Sequence, residues 1–369
     1  MTSLEYAPEP VSFLEPTREK KTAAAAARNS NLDLLRAAAI LLVLVYHIGE
    51  FMPNLPWLTQ RYLELGAYGV DLFFVLSGWL IGTLIWKERA RFGNLDLPRF
   101  WARRWLRTIP VYLVVLPIAF AGVYFARGEK FDPSYLLFLQ NYKPQIPYFT
   151  VSWSLCVEEH FYLFLPLVLA LLTLCRTPLR LAFPLLLGAA IAIPFLDPRA
   201  TPGQPLGISI TATHLNLAGL ILGLWMSYLY VNEPRHWPPF RRFTGWLIAP
   251  LLLGILLYPV IDNRLLYYFS DIYVGLLCAG ILAQIVDAQA IGISRSKLIA
   301  FIAITSYSVY LTHAMVINAL TTFADRVGVP RVTVVPAIFV AVFAIGGVLY
   351  HLVEKPMLAV RDKAVPRRS

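Results

Sequence analysis

Charge is what this 369-residue sequence has least of: 15% of its residues are Asp, Glu, Lys or Arg, while 58% are hydrophobic and the mean hydropathy is +0.61. A soluble domain carries about 25% charged residues, so this chain has too few polar side chains to cover a water-facing surface. The same apolar richness excludes disorder over most of the chain. Cysteine is scarce as well. Cys156, Cys175 and Cys278 all fall inside apolar runs, with neither an even count nor metal-ligand spacing. That excludes a disulfide scaffold and a cysteine metal site, and the three thiols read as small apolar side chains. The first 30 residues hold Pro, Glu, Lys and an Ala run but no apolar signal-peptide core, so residues 1–30 are expected to form a flexible cytoplasmic tail. No internal repeat of the kind that marks many transporters is visible. Acidic residues are outnumbered 22 to 32 by Lys and Arg, a formal net charge of +10. What remains is a polytopic membrane protein whose positive excess needs a reason.

The expected fold is an all-α membrane bundle. A crossing helix needs about 20 mostly apolar residues, and ten stretches qualify: 34–52, 67–86, 108–126, 155–175, 179–196, 213–231, 244–261, 270–287, 298–320 and 332–353. Charged or Pro-rich connections such as KERARFGNLDLPRFWARRWLR separate them. With the N-terminus in the cytoplasm, 24 of the 32 Lys and Arg fall on the cytoplasmic side and eight on the other. That bias over an even number of spans places both termini inside. The expected division is a tail over 1–30, a transmembrane domain over 31–360 and a basic tail over 361–369.

Charged side chains inside a span cost on the order of 3 kcal/mol each and ask for an explanation. The first span holds Arg36 and His47, 11 residues apart, hence nearly on one face and about 16 Å apart along the axis. Arg36 is expected at the cytoplasmic edge, with Asp33 one turn before it as partner, and His47 about halfway through the bilayer. The pair is either functional or a packing histidine with a snorkelling anchor. Asp71 enters the second span, and Ser77-Gly78 interrupts it at mid-depth, as small residues at a close helix contact do. Beyond lie Arg103, Arg104 and Arg107 with Trp101 and Trp105 between them. They are either a positive-inside loop or an anion site, since guanidinium groups clamp phosphate bidentately. Trp153, Glu158, Glu159 and His160 open the fourth span; the carboxylates can orient a histidine, act on a hydroxyl or cap the helix, and Trp153 can stack on a sugar or anchor the interface. The ninth span holds Ser306, Tyr307, Tyr310 and His313, and in the tenth Glu354 is expected to meet cytoplasmic water. His214, His236 and His351 read as structural.

Together these segments resemble the membrane-bound acyltransferase-3 family from about residue 31 to 360. Asp33, Leu35, Arg36 and Ala37 followed by His47 are similar to its first-span R-x10-H signature, and Gly69 through Gly78 (GVDLFFVLSG) to its second-span motif. Arg103, Arg104 and Arg107 match its basic loop. Trp153-Ser154-Leu155, Glu158-Glu159 and Phe161-Tyr162-Leu163 match its fourth-span motif, Ser306-Tyr307, Tyr310-Leu311 and His313 a late-span motif, and Glu354-Lys355-Pro356 the ending. Trp79 stands where Phe is usual and His160 where Gln is common; both bear on the pocket that admits the acceptor. The esterase-like domain appended in some relatives is not expected after the tenth span.

The resemblance implies transfer of an acyl group, usually acetyl, from cytoplasmic acyl-CoA, a donor substrate, to a hydroxyl of an extracytoplasmic carbohydrate such as exopolysaccharide, O-antigen or lipo-oligosaccharide. No metal and no nucleic acid enter this reading, and a bacterial inner or plasma membrane is the expected location. In it Arg103, Arg104 and Arg107, with Ser77, hold the donor. His47 is general base or acyl-accepting nucleophile, Arg36 positions the donor or polarises the thioester carbonyl, and Asp71 or Glu158 orients His47 or binds acceptor hydroxyls. Trp153, Glu159, Tyr310 and His313 meet the acceptor. A rival class is a transporter or flippase of a lipid-linked or anionic substrate, whose intramembrane charges would line a pathway.

Overall fold

A computed structural model describes residues 29–52, 54–143, 145–196, 211–257, 259–260 and 264–368. The tail expected over 1–30 lies, apart from its last two residues, outside them. The described residues form helices and loops without a strand. The helices are α1 (Ser30–Glu50), α2 (Trp57–Glu64), α3 (Gly69–Phe92), α4 (Leu97–Arg127), α5 (Trp153–Leu174), α6 (Leu179–Leu196), α7 (Ala218–Asn232), α8 (Trp237–Leu257), α9 (Arg264–Ile285), α10 (Lys297–Val327), α11 (Val335–Leu349) and α12 (Lys355–Ala364).

Their ends follow local chemistry. The Asn29 side chain accepts from the backbone N–H groups of Asn31 and Leu32 and starts α1, as N-cap residues do. Asp96 accepts from the Arg99 N–H at 3.2 Å and starts α4. Gly93 and Gly128, with φ of 77° and 69°, end α3 and α4 in the left-handed conformation that costs glycine nothing. One boundary differs from the sequence reading. The basic stretch taken as the connection after the second span contains the first turns of α4, because the Asp96 cap nucleates a helix that Arg, Leu and Ala then propagate.

Among the described residues, seven helical stretches are long and apolar enough to cross a membrane: α1, Trp57–Phe92, α4, Thr150–Leu174, α8, α10 and Arg331–Ala364. Three further apolar helices, Leu179–Pro194, Ala218–Asn232 and Ile272–Ile285, are shorter. The chain is a multi-pass helical membrane protein. Helices α4 and α8 leave much of their apolar surface uncovered, including Phe125 (84% exposed) and Trp246 (78%); in water such patches would be a liability, whereas lipid solvates them.

The interior is held by close helix approach. A Cβ on Gly78 of α3 would lie 2.0 Å from the Leu220 carbonyl oxygen of α7, and one on Gly223 of α7 would lie 2.1 Å from that of Val75. Small residues permit such contact, which supplies the dispersion energy that lipid, being equally apolar, cannot drive. Trp86 of α3 adds a buried hydrogen bond at 3.0 Å to Ser227 of α7. Trp79 is buried against Tyr230 and Trp237, so the Trp in place of Phe belongs to the core. Helices α1 and α10 run parallel, since Ser30 and Ser294 hydrogen-bond where both begin and His47, in the last turn of α1, meets His313 about midway along α10.

Candidate active site

Five helices enclose a cavity of about 310 Å³. Its wall carries Arg36 from α1, Phe73 and Ser77 from α3, Arg104, Arg107 and Thr108 from α4, Ser154, Glu158 and Tyr162 from α5, and Ser306, Tyr307 and Tyr310 from α10. Along α3 the lining runs from Val70 to Leu84, about 21 Å at 1.5 Å per residue. It is a deep, narrow chamber.

Hydroxyl groups tie its wall together. Ser77 and Tyr162 share a hydrogen bond through their hydroxyls, and the Glu158 carboxylate interacts with both and with the charges of Arg107 and Arg104. The Arg104 guanidinium lies 5.9 Å from the Tyr162 ring centroid, a cation–π placement. Thr108 donates to Glu159 Oε1 at 2.7 Å, Tyr307 donates to the Thr108 carbonyl at 2.7 Å, and Ser154 and Tyr310 join their hydroxyls at 2.6 Å. Arg36 is paired with Asp33 at 2.9 Å. Against that neutral pair, Arg104 and Arg107 face the single lining carboxylate of Glu158. Neither Arg104 nor Arg107 hydrogen-bonds a carboxylate among the described residues, although the buried Glu158, Glu159 and Glu354 lie within electrostatic reach of them. Fixed guanidinium donors in a low-dielectric chamber favour an anionic ligand.

Beyond Tyr310 lies a second arrangement. The His47 and His313 rings meet edge to face with centroids 4.7 Å apart. His47 Nδ1 bonds the Val43 carbonyl at 3.0 Å and His313 Nδ1 the Tyr310 carbonyl at 2.6 Å. A carbonyl only accepts, so each Nδ1 carries the hydrogen and each Nε2 keeps a lone pair when the ring is neutral. His47 Nε2 is 3.9 Å from Glu50, while His313 Nε2 is buried with no partner among the described residues. His47 retains access, with a side chain 19% exposed; His313 has none.

Of the residues singled out from the sequence, the cavity unites Arg36, Ser77, Arg104, Arg107, Glu158, Ser306, Tyr307 and Tyr310. The others sit elsewhere. Arg103 points about 100° around the helix from Arg104; it bonds Asp362 at 2.9 Å and the Val365 carbonyl, tying α4 to the segment around α12. Asp71 interacts with α9 at Cys278. Trp153 packs edge-on against Phe74 at 6.0 Å. Glu159 is buried behind Thr108, its Oε2 without a partner among the described residues. His313 is fully buried, against His47. His47 lies in the last turn of α1, which runs from Ser30 to Glu50, and it meets His313 near the middle of α10. Glu354 does not meet water either; it is 3% exposed and accepts from Ser308 at 2.8 Å. A single π-helical turn over Tyr350–Glu354 rotates it inward, a feature often found at functional sites. His160 bonds Thr213 at 2.7 Å and does not line the cavity. Sequence reasoning passed over Phe73 and Thr108, which look like an ordinary apolar residue and an ordinary threonine until five helices converge on them.

A family model described as an acyltransferase domain, Acyl_transf_3, matches residues 29–351. The chain belongs to the acyltransferase-3 family. The match takes in every helix that lines the cavity. Among curated relatives of this acyltransferase-3 chain, the Staphylococcus aureus (strain NCTC 8325 / PS 47) protein named O-acetyltransferase OatA is 27% identical over 365 residues, covering 88% of this chain and 56% of its own length. A Staphylococcus aureus (strain MRSA252) protein, SAR0937, whose name marks it as a candidate O-acetyltransferase, is 26% identical over 372 residues, covering 92% of this chain and 58% of its own. The chain thus spans between half and three-fifths of the length of the curated relatives it matches. No solved structure matches it significantly.

Proposed function

We propose that this acyltransferase-3 chain is an integral membrane O-acetyltransferase of a bacterial inner membrane. Its ten apolar helices cross with both termini in the cytoplasm, and it moves an acetyl group from cytoplasmic acetyl-CoA to a hydroxyl of an extracytoplasmic carbohydrate. The observation that carries the reading is the chamber itself: Arg104 and Arg107 line one cavity with Arg36 and Glu158, and its Tyr310 wall abuts the His47–His313 pair. The names of the curated relatives support the acetyl group, and the placing of 24 of the 32 Lys and Arg on the Ser30 side supports the orientation.

In this reading Arg104 and Arg107 bind the polyanionic donor and Ser77 lines its channel. Arg36, which also lines the chamber, adds a fixed positive charge that helps position the donor. His47 Nε2 takes the proton of the acceptor hydroxyl. The hydroxyl oxygen attacks the carbonyl carbon, an ester C–O bond forms as the C–S bond breaks, and the departing thiolate receives the proton. Glu158 keeps the two arginines oriented. Arg103, held by Asp362, is a structural tie in this account.

The test compares cell envelopes from a host strain carrying the gene with envelopes from vector alone, supplied with [14C]acetyl-CoA. Alkali-labile acetyl label on envelope glycan that depends on the gene is expected. Glycan that is moved across the membrane unlabelled would overturn the reading in favour of a flippase.

A further inference from the structure

Neither His47 nor His313 is among the residues that line the donor chamber. Tyr310 and Phe73, from α10 and α3, both line the cavity and meet edge to face, with ring centroids 6.1 Å apart at 76°, on the wall next to the histidines. Tyr310 is itself fixed. Its hydroxyl bonds Ser154 of α5 at 2.6 Å, its carbonyl takes the His313 N–H, and its ring lies 5.5 Å from that of His313. Only one helical turn, Tyr310 to His313, separates the wall of the chamber from the His47–His313 pair, about 4.5 Å along α10. Arg36, by contrast, lies about 16 Å before His47 along α1.

Resting on the donor reading above, we propose that the Phe73–Tyr310 pair is a septum that sets the length of the acyl group delivered to His47. A donor held by Arg104 and Arg107 and led past Arg36 points its acyl end at these two rings. An acetyl methyl group fits beneath or between them, whereas each added methylene must displace a ring. Tyr310 resists displacement because Ser154 and His313 pin it from two helices, so Phe73 is the adjustable half. A closed apolar wall discriminates by about 10- to 200-fold for each methylene it has no room for.

The test uses membranes carrying the full chain and [14C]acetyl-CoA or [14C]butyryl-CoA, with alkali-labile label on the envelope glycan as readout. The expected wild-type preference is for acetyl. Phe73→Ala raises the butyryl-to-acetyl ratio by about tenfold or more, and Phe73→Leu moves it in the same direction by less. A ratio within twofold of wild type in either variant that still transfers acetyl overturns the septum. If Phe73→Ala fails to accumulate in the membrane, Phe73→Leu decides by the same criterion. If neither variant accumulates, the decision falls to Tyr310→Phe, which keeps the ring and drops the anchor to Ser154: a raised ratio supports the septum and an unchanged one overturns it. Absence of acetyl label from the wild type itself overturns the donor reading, and the septum with it.

Discussion

Separating the arginines from His47 by the Tyr310 wall makes a crossed experiment possible. Arg104 faces the cavity and stacks on Tyr162, with no carboxylate hydrogen-bonded to it. Its truncation removes donor binding without leaving a hydrogen-bonded buried anion behind. A hydrogen bond to a charged group is worth about 1.5–3 kcal/mol, and 1.4 kcal/mol is tenfold. Arg104→Ala should therefore raise KM for acetyl-CoA by about 10- to 150-fold and move kcat by less than about threefold. His47 lies beyond the wall, so His47→Ala should do the opposite. General-base catalysis contributes about 10²- to 10⁴-fold, and kcat should fall by that much, about 3–5 kcal/mol at 1.36 kcal/mol per decade, with KM for acetyl-CoA within about threefold. The assay is release of CoA thiol at varied acetyl-CoA and fixed envelope glycan, with both variants first shown by size-exclusion to be monodisperse. If His47→Ala raised KM for acetyl-CoA tenfold while kcat stood, His47 would belong to donor binding and the spatial argument would be wrong. If Arg104→Ala left KM unchanged, the chamber would not be the donor site.

Arg103→Ala, on the same turn as Arg104 but bonded to Asp362 and the Val365 carbonyl, should leave KM for acetyl-CoA within about twofold while loosening α12, seen as faster amide exchange over 355–364. Gly78→Ala forces a Cβ to 2.0 Å from the Leu220 carbonyl; overpacking of this kind costs about 1–3 kcal/mol, and a lowered melting temperature of the purified protein in detergent is the check. A pH effect is expected in the segment between α4 and α5. Burial alone would raise the Asp132 carboxyl, but the Lys143 ammonium and the Ser134 N–H outweigh it and hold it below the ordinary carboxylate range. Its contribution is thus present above the ordinary carboxylate pKa and lost as pH falls through the lower folded value, so amide protection over 132–143 should drop below about pH 4. Lys143→Ala should move that transition to higher pH, and an unmoved transition would assign it to another group.

Much of this protein is legible without coordinates, because a lipid environment leaves few options. Apolar runs of about 20 residues can only be helices where no water is present to satisfy the backbone, and the all-α architecture follows from the sequence alone. The family follows too, since motifs around Arg36, Asp71, Glu158 and Tyr310 recur in order, and the family match covers residues 29–351. Composition also located the basic segment that carries Arg104 and Arg107. Which arginine does what was not legible. Arg103 and Arg104 differ only by 100° of helix rotation, and what each meets depends on Asp362, some 260 residues away, and on Tyr162 of another helix. The depth of His47 depended on where α1 ends, which packing of Gly49 against Leu63 helps define. Glu354 turned inward through one π-helical turn that no hydrophobic pattern encodes. Periodicity records which way a side chain faces from its own helix, but a cavity is the space left between five of them. Only their tertiary packing decided that Phe73 and Tyr310 would meet on its wall one turn short of the histidine.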